Sequence, residues 1–135
     1  MSFGRPHGPP FMFAETKAVN GFAVPDVAAA REFYEDVLGV RTSEGEMGEL
    51  WLHLAGGRDT LVYPKPDHEP ANYTILNFMV EDIDAAVDEL SGRGVEFERY
   101  DGIEQDEMGI SRHDGPQIAW FTDPAGNIIS VIQDG

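Results

Sequence analysis

The sequence predicts an α+β protein: two βαβββ repeats forming a curved mixed sheet around a cleft, with the helices outside. Three observations carry that reading. A strand–Asp–helix segment occurs twice, strand segments follow each copy, and a strong turn joins the last two of them. The repeat is seen by laying "VPDVAAAREFY" (24–34) over "VEDIDAAVDEL" (80–90), an offset of 56 residues. Val24 then meets Val80, Asp26 meets Asp82, Val27 meets Ile83, and Ala29 and Ala30 meet Ala85 and Ala86.

Each copy ends a strand and places an Asp where a helix begins. A short carboxylate there accepts the free amide hydrogens of the first turn, so Asp26 and Asp82 are the expected N-caps. Val27, Ala30, Tyr34, Val37 and Leu38 recur at spacings of three and four and form one apolar stripe, which Gly39 terminates. Ile83, Ala86, Val87 and Leu90 form the stripe of the second helix, ahead of Gly92 and Gly94. After the first helix, "ELWLHLA" (49–55) alternates, with Leu50, Leu52 and Leu54 on one face and Trp51 and His53 on the other. "GGRD" turns it into "TLVY" (60–63), making a hairpin. The second half reads as strands at 73–80, 95–100, 117–122 and 127–133, the last two joined by "DPAGN" (123–127). The expected organisation is a flexible Gly/Pro-rich tail over 1–15, a first module over 16–63, a Pro-rich linker over 64–72 and a second module over 73–135, one compact domain in all. The acidic stretch 101–116 is expected as a loop or lid.

Composition narrows the function classes. Hydrophobic residues make up 41 % and aromatics 10 %, enough for a packed core and too much for a disordered chain. No apolar run is long enough to span a bilayer, and "MSFGRPHGPPFMF" lacks the apolar stretch of a secretion signal. Cysteine is absent, which removes disulfides, thiolate ligands and a cysteine nucleophile, and fits a reducing, cytoplasmic location. The formal net charge is −16, from 25 acids against 9 bases, and beyond residue 70 the balance is 14 to 3. Such a surface repels phosphate backbones and anionic lipid heads, so no nucleic acid and no membrane is expected as a partner. Solubility is the plain reading of the acidity.

Two motifs point further. "VPDVAAAREFYEDVLGV" (24–40) is a strand–Asp–helix opening that ends in an aromatic pair and Leu-Gly, and "FTDPAGNIISVIQ" (121–133) is a closing "F.DP.GN" hairpin. In this order, one per half, they resemble the glyoxalase/bleomycin-resistance/extradiol-dioxygenase superfamily, the vicinal-oxygen-chelate proteins, over nearly the whole chain from about residue 17. The resemblance implies the paired βαβββ fold, a cleft for a small-molecule ligand, and a homodimer. Metalloenzymes of that superfamily hold a divalent ion with one side chain on each of four inward strands. Carried over by spacing, those positions fall on Val19, Val62, Ile75 and Ser130. Three aliphatic side chains and a hydroxyl are poor donors, because such ions need imidazole or carboxylate ligands. A one-residue shift of register supplies none either. The expectation is therefore no family-type metal and no other cofactor.

The cleft is expected to be apolar and aromatic with a few polar points. With the leucines of 49–55 packed on the helices, Trp51 and His53 face inward. Alternation puts Asn77 and Met79 on the inward face of 73–80, Trp120 on that of 117–122 and Ser130 on that of 127–133. Trp51, His53, Asn77, Met79, Trp120 and Ser130 are thus the candidate ligand-binding residues, suited to an aromatic or planar molecule held by stacking and a few hydrogen bonds. Of the four histidines, His53 is the one placed to contact a ligand or act as a base; His7, His68 and His113 lie in the tail, the linker and the acidic loop. Spacing assembles no nucleophilic triad: it does not bring Ser130 to His53, and there is no nucleophile elbow. Two function classes follow. One is a metal-free binding protein, similar to the antibiotic-sequestering members of the superfamily. The other is a lyase, isomerase or dioxygenase of that superfamily using non-standard metal ligands.

Overall fold

A strand that enters a helix and is later joined by a parallel partner organises both halves of the chain. The structure, a computed structural model, describes residues 12–113 and 115–134. These form seven strands, two α-helices and one π-helical turn. β1 (Asn20–Val24) leads into α1 (Val27–Glu32) and the π turn (Phe33–Val37), followed by β2 (Arg41–Glu44), β3 (Leu50–Leu54) and β4 (Arg58–Pro64). The second half holds β5 (Thr74–Met79), α2 (Ile83–Gly92), β6 (Gln117–Thr122) and β7 (Ile128–Gln133). The first sheet has the order β1-β4-β3-β2 and the second β5-β7-β6. In each, the strand before the helix pairs parallel with the last strand of its half, and the remaining pairs are antiparallel. This is the α+β architecture that the repeat predicts.

Both caps form as expected. Asp26 Oδ1 accepts from Ala29 N at 3.2 Å, and Asp82 Oδ1 accepts from Ala85 N at 3.1 Å. The first helix departs from a regular run to Gly39. It widens after Glu32, with Leu38 N donating to Phe33 O at 3.1 Å. The wider turn lets two successive aromatics reach the core. Phe33 meets Tyr34 edge to face at 5.3 Å and lies 6.4 Å from Phe121. Gly39 follows with φ of 71°, the left-handed conformation that ends a helix most easily at glycine. The hairpin read over 49–63 is β3–β4. β2 is the third strand that the βαβββ repeat calls for and to which no segment is assigned from sequence: "RTSE" has no apolar alternation to announce it, and it forms by pairing with β3.

The strand expected over 95–100 is absent. One backbone bond, Glu98 N to Trp120 O at 2.8 Å, runs along β6, but no ladder develops. Gln105 explains why. Its amide nitrogen donates to Glu98 O and its amide oxygen accepts from Tyr100 N, both at 2.9 Å, so one side chain takes two backbone groups that a ladder needs. The stretch expected as a loop or lid is likewise anchored. Ile110 is buried, Asp106 Oδ1 accepts from Met108 N and Ile110 N at 2.9 Å, and Ser111 bridges to Ile118. Of the tail expected over 1–15, residues 12–16 form a turn, and 1–11 lie outside the described residues, as does His7.

One apolar cluster serves both halves. Phe22, Val24, Leu50, Leu52 and Val62 from the first join Ile83, Val87, Phe121, Ile129 and Val131 from the second. Both helices contribute to it, through Ala30 and Tyr34 before the midpoint and Ile83 and Val87 after it. Within this layer lies a buried carboxylate. Asp123, 3 % exposed, accepts at one oxygen from the backbone amides of Ala125 and Asn127, both at 2.9 Å. At the other it accepts from Tyr34 Oη at 2.7 Å and Asn127 Nδ2 at 3.0 Å. Asn127 Nδ2 also donates to Ala23 O at 3.1 Å, tying the turn to β1. Four donors offset the cost of burying a charge. Burial first, and then the adjacent charge, push the Tyr34 phenol far above its ordinary range, so it remains a donor whenever the protein is folded.

Removing Asp123 should cost more than removing the Tyr34 hydroxyl. Asp123→Ala strands several buried donors and is expected to destabilise by about 3–5 kcal/mol, against about 1–3 for Tyr34→Phe. Urea unfolding midpoints measure both, and wild-type midpoints for the pair would show that this network does not join the halves.

Candidate functional site

Each sheet spends one face on the core and leaves the other partly open. In the first, register sets Leu52 between Thr42 and Thr60, and Leu50 opposite Val62, on the core side. The alternate residues occupy the opposite face: Ser43, Trp51 and Leu61 in one cross-strand row, and Arg41, His53 and Asp59 in the next. In the second sheet Asn77, Ser130 and Trp120 form one row and Met79, Ile132 and Ile118 the next. Phe121, Ile129 and Val131 take the core side there.

Three of the six candidate residues meet. His53 from the first sheet and Asn77 and Met79 from the second line one cleft of about 880 Å³, together with Arg41. Trp51, Trp120 and Ser130 are not among its walls. Ser130 is fully buried and donates to Asn77 Oδ1 at 2.5 Å, so it positions Asn77 from behind. Trp51 is half-buried, its Nε1 donating to Glu49 Oε2 at 3.3 Å. Trp120 is half-buried against Tyr100, edge to face at 5.5 Å. The arrangement offers Asn77 and His53 as hydrogen-bonding groups on a cleft wall, with Met79, 61 % exposed, as an adaptable apolar contact.

His53 has partners that spacing did not reveal. Ser43 Oγ lies 2.7 Å from its Nε2, and Asp59 Oδ1 lies 2.9 Å from its Nδ1. The serine that reaches His53 is thus Ser43, not Ser130. Its signal is absent from the sequence because β2 shows no alternation, and only pairing with β3 brings Ser43 near. The Asp59 carboxyl is held below its ordinary value. The His53 hydrogen bond is the main cause, opposed by burial and aided by the charges of His53 and of Lys17, whose Nζ is 3.8 Å away. The linker histidine also differs from a solvated surface residue: His68 Nε2 is 3.0 Å from Asn127 Oδ1, joining the Asp123 network. His113 is exposed and paired with Glu104.

The sequence profile of the glyoxalase/bleomycin resistance protein/dioxygenase superfamily matches residues 17–131. The chain belongs to that superfamily. No curated protein sequence matches it. Among solved structures it is similar to a genomically encoded fosfomycin resistance protein from Listeria monocytogenes, with TM-score 0.68 and 14 % identity over 90 % of this chain and 94 % of that one. It is similar to an antibiotic-binding protein from Streptomyces, with TM-score 0.63 and 26 % identity over 90 % and 98 %. A member of the same superfamily from Sphaerobacter thermophilus aligns with TM-score 0.63 and 22 % identity over 87 % and 98 %.

The metal that many members of the superfamily hold does not fit the corresponding side chains. Val62 points into the core, a correction to its expected inward position, and its open-face neighbours Leu61 and Tyr63 are no better donors for a divalent ion. Val19 and Ile75 are aliphatic, and the Ser130 hydroxyl is committed to Asn77. Among the described residues no three His, Asp or Glu side chains are grouped to hold an ion.

A depressed carboxyl stabilises the fold above its unfolded value, about 3.9 for Asp, and that contribution is lost as pH falls through the lower folded value. The stability advantage of the wild type over Asp59→Asn should therefore be present at pH 6 and shrink below about pH 4. Thermal midpoints across that range measure it; a constant difference would show that Asp59 is not held by His53 and Lys17.

Proposed function

We propose that this chain is a small-molecule-binding protein of its superfamily, taking an aromatic or planar organic ligand without a family-type metal. The observation that carries the reading is the chemistry at the four ligand positions: a core-facing valine, two further aliphatic side chains and a hydroxyl already bonded to Asn77. The cleft volume of about 880 Å³ lies within the roughly 300–1,000 Å³ of small-molecule sites. Similarity at 26 % identity to an antibiotic-binding protein favours binding as the role.

Ligand contacts are assigned to His53, Asn77 and Met79 on the cleft wall, with Ser130 holding Asn77. Trp51 and Trp120 supply aromatic surface on the open face of each sheet. Those faces carry partly exposed apolar groups, Tyr63 at 41 % and Met79 at 61 %, which a second copy of the chain would cover. A homodimer in the cytoplasm is the corresponding state. Among the described residues no helix is long and apolar enough to cross a membrane.

A thermal-shift screen tests the reading, using zinc, nickel and manganese ions, catechols, a methylglyoxal–glutathione adduct and a glycopeptide antibiotic, each with and without chelator. A stabilising organic ligand should act equally in chelator, by about 2.7 kcal/mol at a hundredfold excess over Kd. One tightly held ion per chain by elemental analysis, or hits that vanish with chelator, would overturn the metal-free assignment in favour of a lyase, isomerase or dioxygenase. For the ligand so found, Asn77→Ala and Met79→Ala, on the cleft wall, should each weaken affinity about tenfold, or ~1.4 kcal/mol, by calorimetry. Unchanged affinity in both removes this cleft wall from the site.

A further inference from the structure

Three neighbouring strands place a serine, a histidine and an aspartate in one hydrogen-bonded line. β2, β3 and β4 are adjacent, and register pairs His53 with Arg41 on one side and Asp59 on the other. Ser43 is two residues along β2 from Arg41, so it shares Arg41's face and reaches His53 diagonally. All of these groups stand on the face away from the core. An ionised Asp59 can only accept, so His53 Nδ1 carries a proton; in the neutral ring Nε2 then has its lone pair toward the Ser43 hydroxyl. This is the proton connectivity that a serine needs to become a nucleophile: a base at hydrogen-bond distance, itself oriented by a third group.

The surroundings suit a reaction better than a structural clasp. The three groups are within reach of solvent: Ser43 is exposed, the His53 side chain is 40 % accessible and that of Asp59 28 %. Such an arrangement adds little to stability, since exposed polar pairs contribute about 0–1 kcal/mol. Trp51, the register partner of Ser43, offers an apolar wall beside the hydroxyl. Arg41 lines the same cleft as His53 and brings a cationic donor to that side of the line. The scaffold is three paired strands, so the geometry is held by the sheet ladder and not by a loop.

We propose that Ser43, His53 and Asp59 form a nucleophilic relay that opens activated carboxylic esters by acyl transfer through Ser43. Ser43 Oγ attacks the ester carbonyl carbon while its proton passes to His53 Nε2, and Asp59 holds the resulting imidazolium through Nδ1–H. Arg41 faces the oxygen that gains charge. The carbon–oxygen bond to the leaving group breaks, and His53 returns the proton to the departing alcohol. Water then adds to the acyl-Ser43 carbonyl, giving its proton to His53. The carboxylic acid departs, and His53 restores the proton to Ser43. Ester and water become acid and alcohol, with no other reactant. Aryl esters are the matching substrate class, because their leaving group departs readily and demands least of a single cationic donor. The inference does not rest on the ligand reading above, as it needs no cleft ligand and no metal.

Two probes test it on the full chain: a fluorophosphonate, with the adduct located by peptide mass spectrometry, and p-nitrophenyl acetate, read as nitrophenol release. One adduct per chain on Ser43 is expected, with none after Ser43→Ala or urea denaturation, and unchanged labelling in Ser91→Ala, a serine on the exposed side of α2. His53→Ala and Asp59→Ala should each slow labelling and ester turnover at least tenfold. Circular dichroism spectra of these variants should keep the wild-type shape and their melts should stay cooperative, so that lost labelling is not lost folding. Absence of an adduct, an adduct on another residue, or labelling of His53→Ala at the wild-type rate would overturn the proposal.

Discussion

The bond from Tyr34 to Asp123 joins the two halves of the chain where neither could satisfy its own polar groups. Asp123 opens the turn between β6 and β7, and its carboxylate is buried in an apolar layer. An ionised carboxylate there is tolerable because four donors converge on it, one of them from the helix of the other half. Asn127 extends the network to β1 through Ala23 O and to the linker through His68. Gly126 completes the turn at φ of 87°, close enough to Pro70 that a side chain at this position would crowd the ring. The two segments that mark the superfamily, the aromatic pair ending the first helix and the closing turn, are thus opposite ends of one hydrogen-bonded assembly.

The halves are related but not equal, and the inequality has a local cause. In the first, β2 extends the sheet to four strands because "RTSE" finds a free edge on β3. In the second, the corresponding segment is diverted: Gln105 reaches back to Glu98 O and Tyr100 N, and also donates to Gly109 O at 2.8 Å. One amide side chain substitutes for part of a ladder. Tyr100 is thereby free to set its ring against Trp120, and the edge of β6 is covered by irregular chain instead of a strand.

Separation of core face from open face decides where chemistry is available. In the central strands the buried apolar residues Leu50, Leu52, Val62, Ile129 and Val131 share one parity, which leaves most of the other parity open to solvent or to a ligand. On the second sheet that parity is mostly apolar and is pinned by Ser130 behind Asn77. On the first it is mixed, with Trp51 and Leu61 beside a polar line running from Ser43 to Asp59. One fold therefore presents a mostly apolar face and a hydrogen-bonded polar row on its two sheets.

Much of this was legible in the sequence, for reasons of periodicity and capping. The 56-residue repeat, the two Asp caps and the leucine alternation of β3 depend on neighbours within a few residues, and they appear in the structure as read. The superfamily was legible because its motifs are the groups of the Asp123 network. What sequence could not reveal lies in contacts between distant segments. The lost strand at 95–100 depends on Gln105, the inward position assigned to Val62 was reversed by its pairing with Leu50, and Ser43 meets His53 only because β2 adopts one register on β3. A one-residue slip in that register would turn Ser43 to the other face, and such choices are settled by burial and cross-strand hydrogen bonds that exist only in the folded chain.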